Sequence, residues 1–147
     1  MCDAASRPVL IVCGSRAWTD WPTMRATLDH LWCAPMLALR AVWHGGAQGA
    51  DLMATTWAEM FPGRVPVRSW PADWSLGPHA GVKRSAEMVG SAPAGSVVVA
   101  FVSCRLSDSV GTSHTVRLAL RRGLRVLLVD GDGQRWLGAG PMSPSLF

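Results

Sequence analysis

The sequence predicts an α/β fold of Rossmann type: a doubly wound parallel sheet of about five strands in the order 3-2-1-4-5. Three observations predict it. Unbroken apolar runs such as Val9–Cys13 and Val97–Val102 suit strands covered by helices on both faces. Segments with apolar residues at helical spacing separate the runs, which gives strand–helix alternation with right-handed crossovers. Glycine turns follow the first, second and fourth runs, at the strand ends where open α/β sheets bind ligands.

Pro8-Val9-Leu10-Ile11-Val12-Cys13 is the first strand, ended by Gly14. Asp20 as a cap and Pro22 in the first turn start a helix; Met24, Leu28, Leu31 and Trp32 give it an apolar face, and Pro35 ends it. Ala41-Val42-Trp43 is the second strand, broken by His44-Gly45-Gly46. The second helix runs from about Gly49 to Met60, with Leu52, Met53, Thr56, Trp57 and Met60 on its apolar face. Val65-Pro66-Val67 is the third strand, and its internal proline, which cannot donate to a ladder, puts it at an edge. Ser69 to Pro78 is a structured loop. The third helix covers about Ala80 to Val89, the fourth strand Ser96 to Phe101 and the fourth helix Thr112 to Arg122, closed by Gly123. Leu124 to Val129 is the fifth strand. A single domain therefore spans residues 8–130, and the tail 131–147, rich in Gly, Pro and Ser, is expected to be a flexible extension.

The 147 residues are 49% apolar and 16% charged, a balance that fills one core and excludes intrinsic disorder. The longest apolar run, Val97–Val102, falls far short of the ~20 residues of a membrane span, so no membrane partner is expected. The first seven residues lead into an apolar stretch too short for a secretory signal, and a cytoplasmic location is expected. Net charge is +4, from thirteen Arg and one Lys against ten acids. The bases are scattered apart from Arg121-Arg122 with Arg125 and the pair Lys83-Arg84, which suits phosphate more than duplex DNA. Cys2, Cys13, Cys33 and Cys104 form no C-x-x-C pair, so neither a metal site nor a disulfide framework is expected. Cys13 and Cys104 end neighbouring strands as buried reduced thiols.

The informative residues sit at the strand ends: Gly14-Ser15-Arg16, then His44-Gly45-Gly46-Ala47-Gln48-Gly49-Ala50-Asp51, then Gly111-Thr112. Glycine lets backbone approach a ligand at positive φ, and free amides at a helix start, with the dipole behind them, hold anions. Three such turns in the expected places point to a phosphate and its attached sugar, with no cofactor beyond the ligand itself.

These motifs, with Pro71-Ala72-Asp73-Trp74 and Ala80-Gly81-Val82-Lys83-Arg84-Ser85-Ala86-Glu87-Met88, resemble the YspA/cpYpsA-related branch of the SLOG superfamily over about Pro8 to Val129. The resemblance implies a Rossmann-like domain, also found among bacteriophages, that binds nucleotides or nucleotide-derived ligands, in some members as a sensor, and it implies a homodimer. The superfamily's LOG phosphoribohydrolases release a base from a nucleoside 5'-monophosphate and carry R-K-x-x-M and G-T-x-x-E motifs. Here Ser85 replaces the Lys and Thr115 replaces the Glu. Cleaving a glycosidic bond builds positive charge on the ribose, which a carboxylate stabilises and a threonine does not. Binding is therefore favoured over catalysis.

Ser15 and Arg16 are expected to touch phosphate, with Gly45, Gly46, Gly49, Gly111 and Thr112 supplying amides and Arg84 a second cation. Asp51 either binds ribose hydroxyls, holds a base such as Arg16, or simply favours a helix start. Thr112 and Ser113 open the fourth helix, where their hydroxyls cap it or bond a phosphate, and His114, two residues past Thr112, could reach the ligand as donor or acid. The catalytic candidates of an enzymatic alternative, a phosphoribohydrolase with a substitute carboxylate, are Arg84, Glu87 and Asp51; an ordinary ion pair with Lys83 or Arg84 is the plainer role for Glu87. One of the loop tryptophans Trp18, Trp70 and Trp74 could stack a base, while such residues more often bury themselves against helices. Single-stranded nucleic-acid binding is a third reading, resting on the charge and those tryptophans.

Overall fold

A computed structural model describes residues 7–103 and 109–138; Cys2, Cys104 and the last nine residues of the tail lie outside them. The elements in chain order are β1 (Leu10–Gly14), α1 (Trp21–Cys33), β2 (Val42–His44), α2 (Ala50–Glu59), β3 (Val67–Ser69), α3 (Ala80–Ser91), β4 (Val97–Phe101), α4 (Val110–Arg121), β5 (Arg125–Asp130) and β6 (Gly133–Leu137). They form one sheet in the order β3-β2-β1-β4-β5-β6. The first five strands pair in parallel, and β6 pairs antiparallel with β5.

Alternation along each strand divides the core into two layers. Leu10, Val12, Val97, Val99 and Leu127 pack on one face with Met24, Leu28 and Leu31 of α1 and Ala54 and Trp57 of α2. Val9, Ile11, Val98, Ala100 and Val126 pack on the other with Met88 and Val89 of α3 and Val116 and Ala119 of α4. This two-sided covering is the reason the sequence runs are unbroken rather than alternating. Asp20 caps α1 as expected, its carboxylate accepting from the Thr23 amide at 3.1 Å and the Thr23 hydroxyl at 2.6 Å. Gly123, at φ +75°, ends α4. Arg122 donates to the carbonyls of Val89 and Ala92, at 2.5 and 2.8 Å, and so satisfies the last turn of α3.

Four expectations change. The third strand starts at Val67 rather than Val65, because Pro66 precedes the ladder and offers only its carbonyl, to the Val42 amide at 2.8 Å; the strand is nevertheless an edge. The buried face of α2 is Ala50, Asp51, Ala54, Trp57 and Ala58, while Leu52 and Met60 are exposed. Small residues win there because Ala50 lies against Gly14, where an added Cβ would stand 2.7 Å from that of Ala50. The fourth helix begins two residues early, at Val110, so Gly111 and Thr112 lie inside its first turn. Residues 133–137 of the tail are a sixth strand, not a loose extension: Gly131 and Asp132 make a two-residue hairpin turn. Partly buried Trp136 and Leu137 dock that strand on the two layers, and Gln134 donates to Thr27 of α1 at 3.1 Å.

Among the described residues, no helix is long and apolar enough to cross a membrane.

Candidate functional site

Strand order reverses between β1 and β4, and the carboxyl ends of these strands open into a cavity of about 350 Å³. Gly14 and Arg16 reach it from the β1–α1 turn, Ala47 and Asp51 from the β2–α2 turn, and Gly111, Thr112 and His114 from the start of α4. Arg84 and Ser85 of α3 close one wall. A second cavity of about 750 Å³ adjoins it beside β3, and Arg16, Ala47, Trp74 and Arg84 line both.

In the β2–α2 turn the amides of Gly45, Gly46 and Ala47 have partners within the turn. Asp51 Oδ2 accepts from the Gly45 amide at 2.9 Å and the Ala47 amide at 3.3 Å, and the Gly46 amide donates to His44 Nδ1 at 2.9 Å. Because Nδ1 accepts, the ring proton sits on Nε2, 2.6 Å from the Thr55 hydroxyl. Burial, and then the Arg84 cation, hold His44 below its ordinary value, so His44 is a neutral bolt in the turn. Asp51 is the anion this glycine turn holds. Burial pushes its carboxyl up to about 6, against the opposing pull of the Ala47 and Gly45 amides and of Arg84 and Arg16. Among the described residues, hydrogen bonds to the carboxylate reach Oδ2 alone, which leaves Oδ1 to the cavity that Asp51 lines.

Gly49, at φ +79°, serves packing: an added Cβ would stand 2.4 Å from the Ser15 carbonyl oxygen. That carbonyl accepts from the Ala50 amide at 3.4 Å. Ser15 is buried, and its hydroxyl accepts from the Ser103 amide at 3.1 Å. Ser15 and Gly49 thus tie α2 and β4 to the β1 turn and line neither cavity. Gly45 and Gly46 line the second cavity.

Arg84 is the hub. Its Nη1 donates to the Gly45 carbonyl at 2.5 Å and to the Trp70 carbonyl at 3.1 Å, so one guanidinium spans α3, the β2 turn and the chain after β3. Its Nε is buried without a hydrogen-bond partner, and so is Nε2 of His114. A buried polar atom without a partner costs free energy unless water or a ligand meets it.

At α4 the first intrahelical bond runs from the Ser113 amide to the Ser109 carbonyl, 2.8 Å, so the amides of the first turn, Gly111 and Thr112 included, have no helical acceptor. Thr112 is buried, and its hydroxyl accepts from Ser109 Oγ at 2.9 Å. Ser113 lines neither cavity. Thr115 is also buried; its hydroxyl donates to the Gly111 carbonyl at 3.1 Å and is hydrogen-bonded to Ser85 Oγ at 3.2 Å. Glu87 is exposed and lines neither cavity, and it pairs with neither Lys83 nor Arg84 within 4.0 Å. Of the carboxylates weighed for catalysis, only Asp51 is at the cavity. Cys13 lies on the same wall as a thiol that burial, and then Asp51, push upward. Among the described residues no three His, Cys, Asp or Glu side chains are grouped to hold a metal ion.

Trp18 packs on Phe101, centroids 5.3 Å apart. Trp70 packs on Trp43, centroids 5.2 Å apart, and the Arg68 guanidinium lies over both rings, 3.8 Å from the centroid of Trp70 and 5.4 Å from that of Trp43. Of the three loop tryptophans, only Trp74 borders the cavities. Sequence reasoning missed the internal use of the glycine-turn amides; Asp51, two residues after Gly49 at the start of a helix, was the available signal.

The model of the family described as YspA, cpYpsA-related SLOG matches residues 8–77, from β1 to just past Trp74. The chain is also similar to the Gene 61 protein of Mycobacterium phage D29, 38% identical over an alignment of 125 residues that covers 80% of this chain and 93% of the phage protein.

Proposed function

Because this chain belongs to the YspA, cpYpsA-related SLOG family, for which a nucleotide-related function is suggested, we propose that it binds a nucleotide or nucleotide-derived small molecule, as a cytoplasmic sensor or ligand-binding protein. The observation that carries this reading is that the first turn of α4, with Gly111 and Thr112, and the Arg84 cation line one cavity at the strand ends. A phosphate there would meet the first-turn amides of α4, the helix dipole and the Arg84 cation together. The ligand phosphate is therefore assigned to α4 and not to the β2–α2 glycine turn, which Asp51 fills. Asp51 Oδ1 is the acceptor for a ribose hydroxyl.

Isothermal titration with nucleoside mono- and diphosphates and ADP-ribose tests the reading. Heat is expected for at least one of them, with affinity reduced at least about tenfold in Arg84→Ala, since a charge-assisted contact contributes ~1.5–3 kcal/mol. No heat with any phosphorylated nucleoside contradicts it.

One observation favours a second reading, an N-glycosidase on nucleoside 5'-monophosphates. Asp51 shares the cavity with Arg84 and keeps one carboxylate oxygen unbonded, so it can serve where Thr115 cannot. Base release abolished by Asp51→Asn would establish that reading; binding without turnover returns the function to a sensor.

A further inference from the structure

We propose that the second cavity is the subsite for the ligand's nucleobase and that Trp74 is the ring on which the base stacks. The inference rests on the nucleotide reading above and adds what that reading leaves open, namely which part of the chain reads the base. Trp74 is 58% exposed, an unusual position for so large an apolar ring in a chain that buries Trp18 and Trp57 almost completely. It is not loose. Its backbone lies in a short 3-10 turn, Trp74–Leu76, whose cap Asp73 accepts from the Ser75 amide at 3.1 Å. Its indole rests on α3 at Gly81, where an added Cβ would lie 3.3 Å from the ring. The ring is thus backed on one side and borders both cavities on the other.

The two cavities differ in chemistry. The first adds helix-start amides, Asp51 and His114 to apolar Val82 and Val110; the second sets Leu52, Val67, Pro71 and Ala72 beside the polar His44, Thr55 and Ser69. Apolar walls with a few polar groups suit a flat heterocycle, as phosphate-binding amides suit the other end of a nucleotide. Arg16 and Arg84 stand at the shared boundary, so a nucleotide with its phosphate at α4 would cross between them and lay its base against Trp74. Stacking on an aromatic ring tolerates every base, and polar groups at the edge then choose among them.

The test is titration of the protein with adenosine, guanosine, cytidine and uridine 5'-monophosphates and with ribose 5-phosphate, which has the phosphate and sugar but no base. At least one nucleotide is expected to bind about tenfold or more tightly than ribose 5-phosphate. Trp74→Ala is expected to erase that advantage without changing ribose 5-phosphate affinity, and Trp74→Phe to keep most of it. Ala72→Phe, which fills the second cavity alone, is expected to act as Trp74→Ala does. Quenching of indole fluorescence by the nucleotide is expected in the wild type and not in Trp74→Phe. Equal affinities for nucleotides and ribose 5-phosphate, or equal weakening of both by Trp74→Ala, overturns the base subsite while the phosphate reading stands. Binding of neither overturns both.

Discussion

The Thr115 hydroxyl of α4 and the Ser85 hydroxyl of α3 are hydrogen-bonded at 3.2 Å, both side chains buried on the cavity wall. These are the two positions at which the chain departs from the motifs of the LOG phosphoribohydrolases that it resembles. The departures touch each other, and both remove a charge. The Ser85–Thr115 contact at the cavity is neutral as a result, and among the described residues Asp51 is the carboxylate that lines the cavity.

The coupling between those hydroxyls is measurable. Ser85→Ala and Thr115→Val each lose a hydrogen bond in a buried setting, so each is expected to destabilise the fold by about 1 kcal/mol. The double variant is expected to cost less than the sum, because the second substitution removes a partner already lost. Urea denaturation of the four proteins gives the cycle; strictly additive losses would show that the two hydroxyls do not interact.

Gly49 and Gly45 separate folding from binding. An added Cβ at Gly49 meets backbone, the carbonyl oxygens of Ser15 and Arg16 at 2.4 and 2.5 Å, at φ +79°. Gly49→Ala is expected to destabilise the fold by at least about 2 kcal/mol. At Gly45 the three atoms nearest to an added Cβ all belong to the Arg84 guanidinium, the end of a flexible side chain. Gly45→Ala is expected to leave stability within about 1 kcal/mol of wild type while displacing the guanidinium and weakening nucleotide affinity about tenfold. Thermal melts and titration calorimetry on the two variants check this, and the reverse ranking would contradict it.

Asp51 gives the fold a pH dependence of known sign. Its carboxyl moves from 3.8 to about 6 on folding, with burial the largest cause, so between those values the folded chain holds the extra proton. The stabilisation is complete below the unfolded value and is lost as pH rises through about 6. Wild-type stability is expected to fall relative to Asp51→Asn by about 2 kcal/mol between about pH 4.5 and pH 7.5. Denaturant titrations across that window check it; parallel profiles would mean that Asp51 is not held neutral by burial. Phosphate affinity is expected to follow the same direction, since an ionised Asp51 repels an anion in the shared cavity.

The strand order and the two helix layers were legible because apolar runs and helical spacing report burial directly, as Val97–Val102 and the Met24–Leu31 face do. The strand ends were also found, through Gly14, Gly45 and Gly111. What the turns do with their amides was not legible, since a glycine says that backbone can come close without saying to what. At Gly49 the close neighbour is the Ser15 carbonyl; at Gly45 it is the Arg84 guanidinium, while the Gly45 amide goes to the Asp51 carboxylate. The buried face of α2 escaped for a related reason. Hydropathy favours Leu52 and Met60, but the helix turns Ala50 to Gly14 of β1, where the room is tight, and buries Trp57 further along. The sixth strand was announced by Asp130-Gly131-Asp132-Gly133, a hairpin signal inside a segment whose composition suggested a loose tail.

The most direct test is a crystal structure of the protein with a nucleoside 5'-monophosphate bound. The phosphate is expected within hydrogen-bond distance of the Gly111 and Thr112 amides and of Arg84, with Asp51 still bonded to the Gly45 and Ala47 amides. Phosphate density seated on the β2–α2 turn with Asp51 expelled, or a cavity at α4 that stays empty at saturating nucleotide, would contradict it.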